Sequence, residues 1–424
     1  MINSRKVIRF LTEQMQLREP VTALLKWAML SSLTGVVTGL VGTVFFYMLS
    51  MAANLFGRYP QLLYALPLLG LMIVFLYRRF WPDRPGDTNL VLSSLSTHER
   101  IPLRMVPLIF VSTILTHLGG GSAGREGAAL QIGGSLGAFL GKLLRFDNKE
   151  REILIMCGMS AAFAALFGTP ATAAVFALEV AHVGVMRYFA LLPCVISSIA
   201  ARLVAHRFHV EAEQFPVSLL PELSAGNATK ILLLGIFCGL LSLLFCMLLH
   251  RAGDVFARLF KNPYVRVVAG GLTIIALTLL TGHRGYNGAG TAIIAAAVAG
   301  EATGGAFAMK MIFTAITLGS GFKGGEIVPT LYVGATFGCV LGGILGLPAP
   351  VAAAAGMAAL FCGVTNCPIT ALVLSIELFG SEGICLYILA IAASYVASGY
   401  QSLYHVQRIM HSKYEASYLS QKEH

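Results

Sequence analysis

Residues 121–137 read GSAGREGAALQIGGSLG, and residues 319–338 read GSGFKGGEIVPTLYVGATFG. Both stretches are rich in glycine, both carry charge (Arg125 and Glu126 in the first, Lys323 and Glu326 in the second), and both interrupt apolar sequence. Aligned, Gly133 and Gly137 fall on Gly334 and Gly338, an offset of 201 residues. A second pair follows in the same order. GTPATAAVFALEV at 168–180 and TNCPITALVLSIEL at 365–378, counted from Pro170 and Pro368, share Thr at +2, Ala at +3, Val at +5 and Glu at +9, at an offset of 198. One shared proline or glycine is noise. Two ordered matches at nearly one offset mark an internal duplication.

The rest of the chain says where this duplication lives. Of 424 residues, 56% are hydrophobic and 12% charged, where a soluble protein carries roughly 25% charged residues. Trp27–Ala53 and Ile231–Leu249 are long enough to cross a bilayer, and Val267–Thr281 comes close. Other apolar runs, 105–118 and 350–363 among them, are shorter and broken by glycine or proline, as in tilted or re-entrant helices. The expected fold is therefore an all-α polytopic membrane protein of two inverted-topology repeats with broken helices. Its layout is an amphipathic cytoplasmic segment over 1–26, repeats over 27–204 and 230–404, a polar connection over 205–229, and a short cytoplasmic tail over 405–424.

Charge and cysteine usage exclude several classes. The formal charge of +10 fits cytoplasmic loops facing anionic lipid rather than nucleic acid, since no basic helix or zinc pattern accompanies it. Arg5, Lys6, Arg9, Arg18 and Lys26 mark the first segment as cytoplasmic, and no short apolar run there ends in a small-residue cleavage site. Arg408, Lys413 and Lys422 place the tail on the same side. The eight cysteines form no CxxC pair and read as small core residues. No metal or cofactor is expected.

In two-repeat transporters the binding site lies near the midplane, where broken helices from both repeats meet. Helices starting after GSAGREG and GSGFKGG aim free N–H groups and positive dipole ends at the gap. A bare glycine backbone lets a ligand approach closely, so Gly124, Arg125 and Gly127 become candidates for anion binding. Glu126 makes a poor ion pair with its neighbour Arg125, because adjacent helical residues do not face each other. An intramembrane carboxylate is costly and functional by default; Glu126 is expected to occupy the anion site when ionised and to leave when protonated. Glu179 and Glu377, at matched positions of the repeats, read as structural caps. Glu326 lies where no repeat symmetry demands a carboxylate, and is either paired with Lys323 or Lys310 or a second proton-handling group. Gly120–Gly124 also matches GxSxG, with His117 nearby, but a serine hydrolase needs a strand–turn–helix elbow and an acid. That intramembrane hydrolase is the remote alternative.

With GREG in the first break, GTP…FALEV after it and GSGFKGGEIVP in the second repeat, the chain resembles the CLC family of chloride channels and proton-coupled anion antiporters, over roughly Ala28–His405. The resemblance implies a homodimer in the cell membrane of a bacterial-type member, with one anion pathway in each subunit. It makes Glu126 the gating glutamate and makes Ile327 and Val328 donors of backbone N–H groups to the ion. Tyr404 matches the tyrosine at the inner end of the pathway, with Tyr400 its rival. Two departures matter. The family's GSGIP serine is replaced in Gly86-Asp87-Thr88-Asn89-Leu90, where Thr88 suits an anion better than Asp87. Val180 stands where chloride/proton antiporters commonly place an inner proton glutamate. The fluoride/proton branch is similar in lacking both and in carrying a glutamate where Glu326 stands, although its members often have methionine at the position of Thr88 and threonine at that of Val328. The resemblance thus implies fluoride/proton antiport, with a chloride antiporter or channel as the alternative.

Overall fold

The computed structural model describes residues 4–81, 87–97, 99–217, 219–415, 417 and 418, with side chains from residue 21 onward. The side chains of Arg5, Lys6, Arg9 and Arg18, together with Gly86 and Lys422, lie outside the described residues.

Among the described residues there are sixteen α-helices, in two sets of eight. The first set is α1 (Ser4–Arg58), α2 (Leu66–Phe80), α3 (Thr88–Thr97), α4 (Met105–Leu118), α5 (Glu126–Leu143), α6 (Asn148–Phe167), α7 (Pro170–Glu179) and α8 (Leu191–Arg207). The second is α9 (Ala225–Leu259), α10 (Pro263–Thr281), α11 (Thr291–Val298), α12 (Ala306–Gly319), α13 (Ile327–Leu345), α14 (Ala349–Thr365), α15 (Pro368–Phe379) and α16 (Ile384–Ala397). Order and lengths run in parallel: α4 and α12 each have 14 residues, and α5 and α13 have 18 and 19. Six helical stretches, including Val21–Arg58 and Ala225–Leu259, are long and apolar enough to cross a membrane. The others range from 8 residues in α11 to 20 in α6.

The two sets are related by inversion, and two contacts show it directly. Gly124 and its counterpart Gly325 form an antiparallel bridge, N–O 2.6 and 2.8 Å. Equivalent residues meeting head to tail can only lie on a two-fold axis. The helices α7 and α15 repeat the pattern. Glu179, at the end of α7, accepts from the backbone N–H groups of Ile369 (3.2 Å) and Thr370 (2.8 Å) and from the Thr370 hydroxyl. Glu377, near the end of α15, accepts from Ala171 (3.0 Å), Thr172 (2.8 Å) and the Thr172 hydroxyl (2.6 Å). Each glutamate thus caps the other repeat's helix, whose first donors would otherwise be orphaned. The structural role expected for this pair holds, with a helix N-terminus rather than a loop as the partner.

Burial separates inner from outer helices. Every residue of α6 from Ile153 to Phe167 is buried, and so is every residue of α14 from Val351 to Thr365. They pack against α5 and α13 through glycines. A Cβ on Gly334 would lie 2.6 Å from the Gly356 carbonyl oxygen, and one on Gly133 would strike the Gly158 carbonyl. Small residues there let helix backbones touch, as membrane interiors favour. On α1, by contrast, Met29, Leu33, Val36, Leu40 and Val44 are exposed at helical spacing, an apolar face turned outward to lipid. All eight cysteines are free, and all but Cys385 are buried.

Candidate functional site

The site grows from the broken ends of α5 and α13. Helix α4 stops at Leu118, and Gly120 takes φ +76°, a conformation that an L side chain resists. The chain then runs extended to the Gly124–Gly325 bridge, and α5 starts at Glu126. A side chain at Gly124 would collide with the Glu126 carboxylate and sit 3.1 Å from Pro329 Cδ. Glycine leaves the room that the carboxylate occupies.

Glu126 is fully buried. Its Oε2 accepts from the backbone N–H of Arg125 (3.0 Å) and from that of Val328 (3.2 Å). One carboxylate therefore satisfies the free N-termini of helices from both repeats, at the positive ends of their dipoles. Its Oε1 has no hydrogen-bond partner among the described residues and lies 3.9 Å from the Arg125 Nε. The guanidinium itself is held elsewhere. It pairs with Glu213 and lies between the rings of Phe46 and Phe167, 5.3 and 5.2 Å from their centroids. Arg125 meets Glu126 chiefly through its backbone. Ile327 opens α13 beside Val328 and is buried.

On the other side of the crossing lie Gly127, Thr88 and Glu326. A Cβ placed on Gly127 would come 3.2 Å from the Thr88 hydroxyl and 3.4 Å from Glu326 Oε2. The structure thus brings Thr88 and Glu326 to one bare stretch of backbone. Asp87 turns away to its own helix, its Oδ1 accepting from the Leu90 N–H (3.2 Å). Asn89 bonds to Asp87 (3.2 Å). Thr88 Oγ1 accepts from the Gln131 side-chain amide (3.2 Å) and lies 3.4 Å from the Gly127 carbonyl. Glu326 Oε2 is buried without a hydrogen-bond partner, and among the described residues no ion pair joins it to a lysine. Lys310 donates instead to the carbonyls of Tyr286 (3.2 Å) and Gly288 (2.6 Å), and Lys323 lies over the Tyr77 ring.

Tyr404 completes the line. It is buried, and its hydroxyl has no hydrogen-bond partner among the described residues. Its backbone is pinned by Leu403 N–H to the Val364 carbonyl (2.9 Å) and by Tyr404 N–H to Ser402 Oγ (3.2 Å). Gln407 ties the same segment to the carbonyls of Val180 (2.8 Å) and Thr365 (2.6 Å). Beyond Tyr404 opens a cavity of about 780 Å³, lined by Ser93, Ser96, His250, Ser402 and Arg408 among others. The rival Tyr400 also lines it, but its hydroxyl bonds to Ser412 (3.0 Å) in the tail. Asn287 is occupied as well, donating to the Gly120 carbonyl (2.9 Å). Ser122 Oγ lies 3.0 Å from Thr314 Oγ1, and His117 bonds to the Thr113 carbonyl (2.9 Å), so no serine–histidine couple forms.

Three participants escaped the sequence: Gln131, Gln407 and Glu213. Gln131 lies within the opening stretch, but only the packing of α3 on α5 shows what its amide touches. Gln407 and Glu213 sit in irregular segments whose path no periodicity reveals.

Known proteins resemble this chain in sequence and fold. A profile described as voltage-gated chloride channel matches residues 69–399. A chloride/fluoride channel protein of Pseudomonas syringae pv. tomato is 35% identical over 396 residues, covering 92% of this chain and 88% of the relative. An H+/Cl− exchange transporter of Yersinia pestis is 29% identical over 382 residues, covering 82% of this chain and 79% of the relative. The crystal structure of a CLC-type fluoride/proton antiporter superposes with a TM-score of 0.88 at 32% identity, covering 92% of this chain and 98% of the other. Family profile, relative and superposed fold agree with one another, and the chain belongs to the voltage-gated chloride channel family of membrane proteins.

Proposed function

We propose that this protein exports fluoride across the cell membrane in exchange for protons. The observation that carries this reading is the Glu326 carboxyl, its Oε2 unpaired, sharing the bare Gly127 backbone with the Thr88 hydroxyl. Fluoride is small and strongly hydrated, so a dry pathway needs several strong donors to replace its water. The backbone N–H groups of Arg125 and Val328, the Thr88 hydroxyl and the Tyr404 hydroxyl supply that kind of contact. In the position seen here the Glu126 carboxylate takes up the two N–H groups itself. Protonation removes the charge that holds it there, the side chain leaves, and an anion binds in its place. Two carboxyls on one path, Glu126 at the gate and Glu326 deeper in, give a proton somewhere to go where Val180 offers none. The likeness to a fluoride/proton antiporter over nearly the whole chain supports the same choice.

The working unit in this proposal is a homodimer embedded in lipid, with one pathway in each subunit. Residues 27–204 and 230–404 form the repeats, 205–229 the connection, and both termini are cytoplasmic. The protein acts as a transporter rather than an enzyme. Proton-coupled chloride exchange is the second reading, favoured by the similarity to the Yersinia pestis exchanger. Reconstitution into liposomes separates them. A fluoride gradient is expected to drive fluoride at least tenfold faster than chloride, with protons moving the opposite way. Chloride moving as fast as fluoride, or fluoride flux without proton movement, overturns the proposal.

A further inference from the structure

Between the two halves runs a connection that folds back onto the gate. It is held at several points. The backbone N–H of Glu213 donates to the Phe167 carbonyl (3.1 Å), that of Phe215 to the Leu378 carbonyl (2.8 Å), and Arg202 on α8 donates to the Val210 carbonyl (2.7 Å). Ala212 packs on Gly168, whose φ of +76° and lack of Cβ admit it. These anchors place the Glu213 carboxylate on the guanidinium of Arg125, the residue immediately before the gating position.

Resting on the reading of Glu126 as the gate, we propose that Glu213 is a positioning residue for it: Glu213 and Glu126 compete for one guanidinium. The charged group of Arg125 also lies against the rings of Phe46 and Phe167, which favour its present place. The Glu213 side chain is 23% exposed and that of Glu126 is 0% exposed. The first is open at the protein surface and the second is not. While Glu213 is ionised, it takes up most of the Arg125 charge, and the Glu126 carboxylate is held mainly by the two N–H groups. When Glu213 loses its charge, the guanidinium 3.9 Å from Glu126 Oε1 is free to hold the gate shut. The connection between repeats thereby carries information from the aqueous face to the gate.

The other titratable or charged groups near this pair are few. His117 on α4 lies within electrostatic range of both Arg125 and Lys310, the latter on α12. Tyr404 lies within electrostatic range of Glu326 and Glu126. Glu211 stands two residues from Glu213 on the connection. Of the cations, Arg125 is the one that forms ion pairs with both Glu126 and Glu213 among the described residues.

Glu213→Gln tests this, because it removes the charge while keeping the side-chain volume and the backbone bond to Phe167. Fluoride flux into liposomes is measured against pH for wild type, Glu213→Gln and Glu213→Asp. In Glu213→Gln the pH of half-maximal transport is expected to fall by about one unit, since one opposite charge at this range is worth one or more units. Glu213→Asp, which keeps the charge, should return most of that shift. A merely structural role lowers turnover in both variants at unchanged midpoint, and that result overturns the proposal. Should Glu126→Gln keep wild-type coupling and pH dependence, the gate assignment fails whatever Glu213 does.

Discussion

A single carboxylate joining two helix N-termini is the smallest unit that explains this protein. Glu126 was legible as an outlier because a buried charge in apolar sequence needs a partner, and its neighbour Arg125 cannot face it along a helix, which left the glycine-rich backbone to supply one. Less legible was the company it keeps. Thr88 and Glu326 meet at Gly127 through the packing of α3 and α13 on α5, which no spacing in the sequence encodes. At this scale the two glutamates make distinct predictions. Glu126→Gln removes the group that competes with the ion, and proton coupling is expected to vanish, with fluoride flux either unregulated or blocked. Glu326→Gln leaves the gate in place but removes the deeper carboxyl, and the proton-to-fluoride ratio is expected to fall at least tenfold. Ratios measured by paired proton and fluoride electrodes check both, and an unchanged ratio in Glu326→Gln returns that residue to a structural role.

Among elements, the clearest lesson comes from α7 and α15. Their shared Pro, Thr, Ala and Glu positions announced a duplication, and the crossed capping of Glu179 and Glu377 gives those positions a common cause. Element boundaries were harder to see. The apolar pattern marked Trp27 as the start of a span, whereas α1 runs unbroken from Ser4 to Arg58, Pro20 included. The polar connection expected over 205–229 is shorter, since α8 runs to Arg207 and α9 starts at Ala225, and it is bonded to both repeats. The caps also differ in burial, and that difference is testable. Glu179 is 4% exposed, whereas the contacts of Glu377 include the exposed Ala171 N–H. Glu179→Ala strands buried donors at the start of α15 and should cost ~3 kcal/mol, on the scale of hydrogen bonds to charged groups. Glu377→Ala lets water take over part of its role and should cost about half as much. Thermal unfolding midpoints in detergent, lower for the first variant than for the second, check the order.

Taken whole, the molecule is two half-built objects made complete by each other. Neither repeat holds the site: Glu126 and Thr88 come from one, Val328, Glu326 and Tyr404 from the other. The chain cut between Pro221 and Glu222, with both pieces made in one cell, is therefore expected to restore fluoride export, while either piece alone gives none; fluoride resistance of the host reads the outcome. The Gly124–Gly325 bridge carries this further, into how the protein is made. Gly124 leaves the ribosome long before its partner, and the bridge cannot form until the last third of the chain has been made. On the proposed function, the ion pathway is therefore among the last parts of the molecule to come into existence.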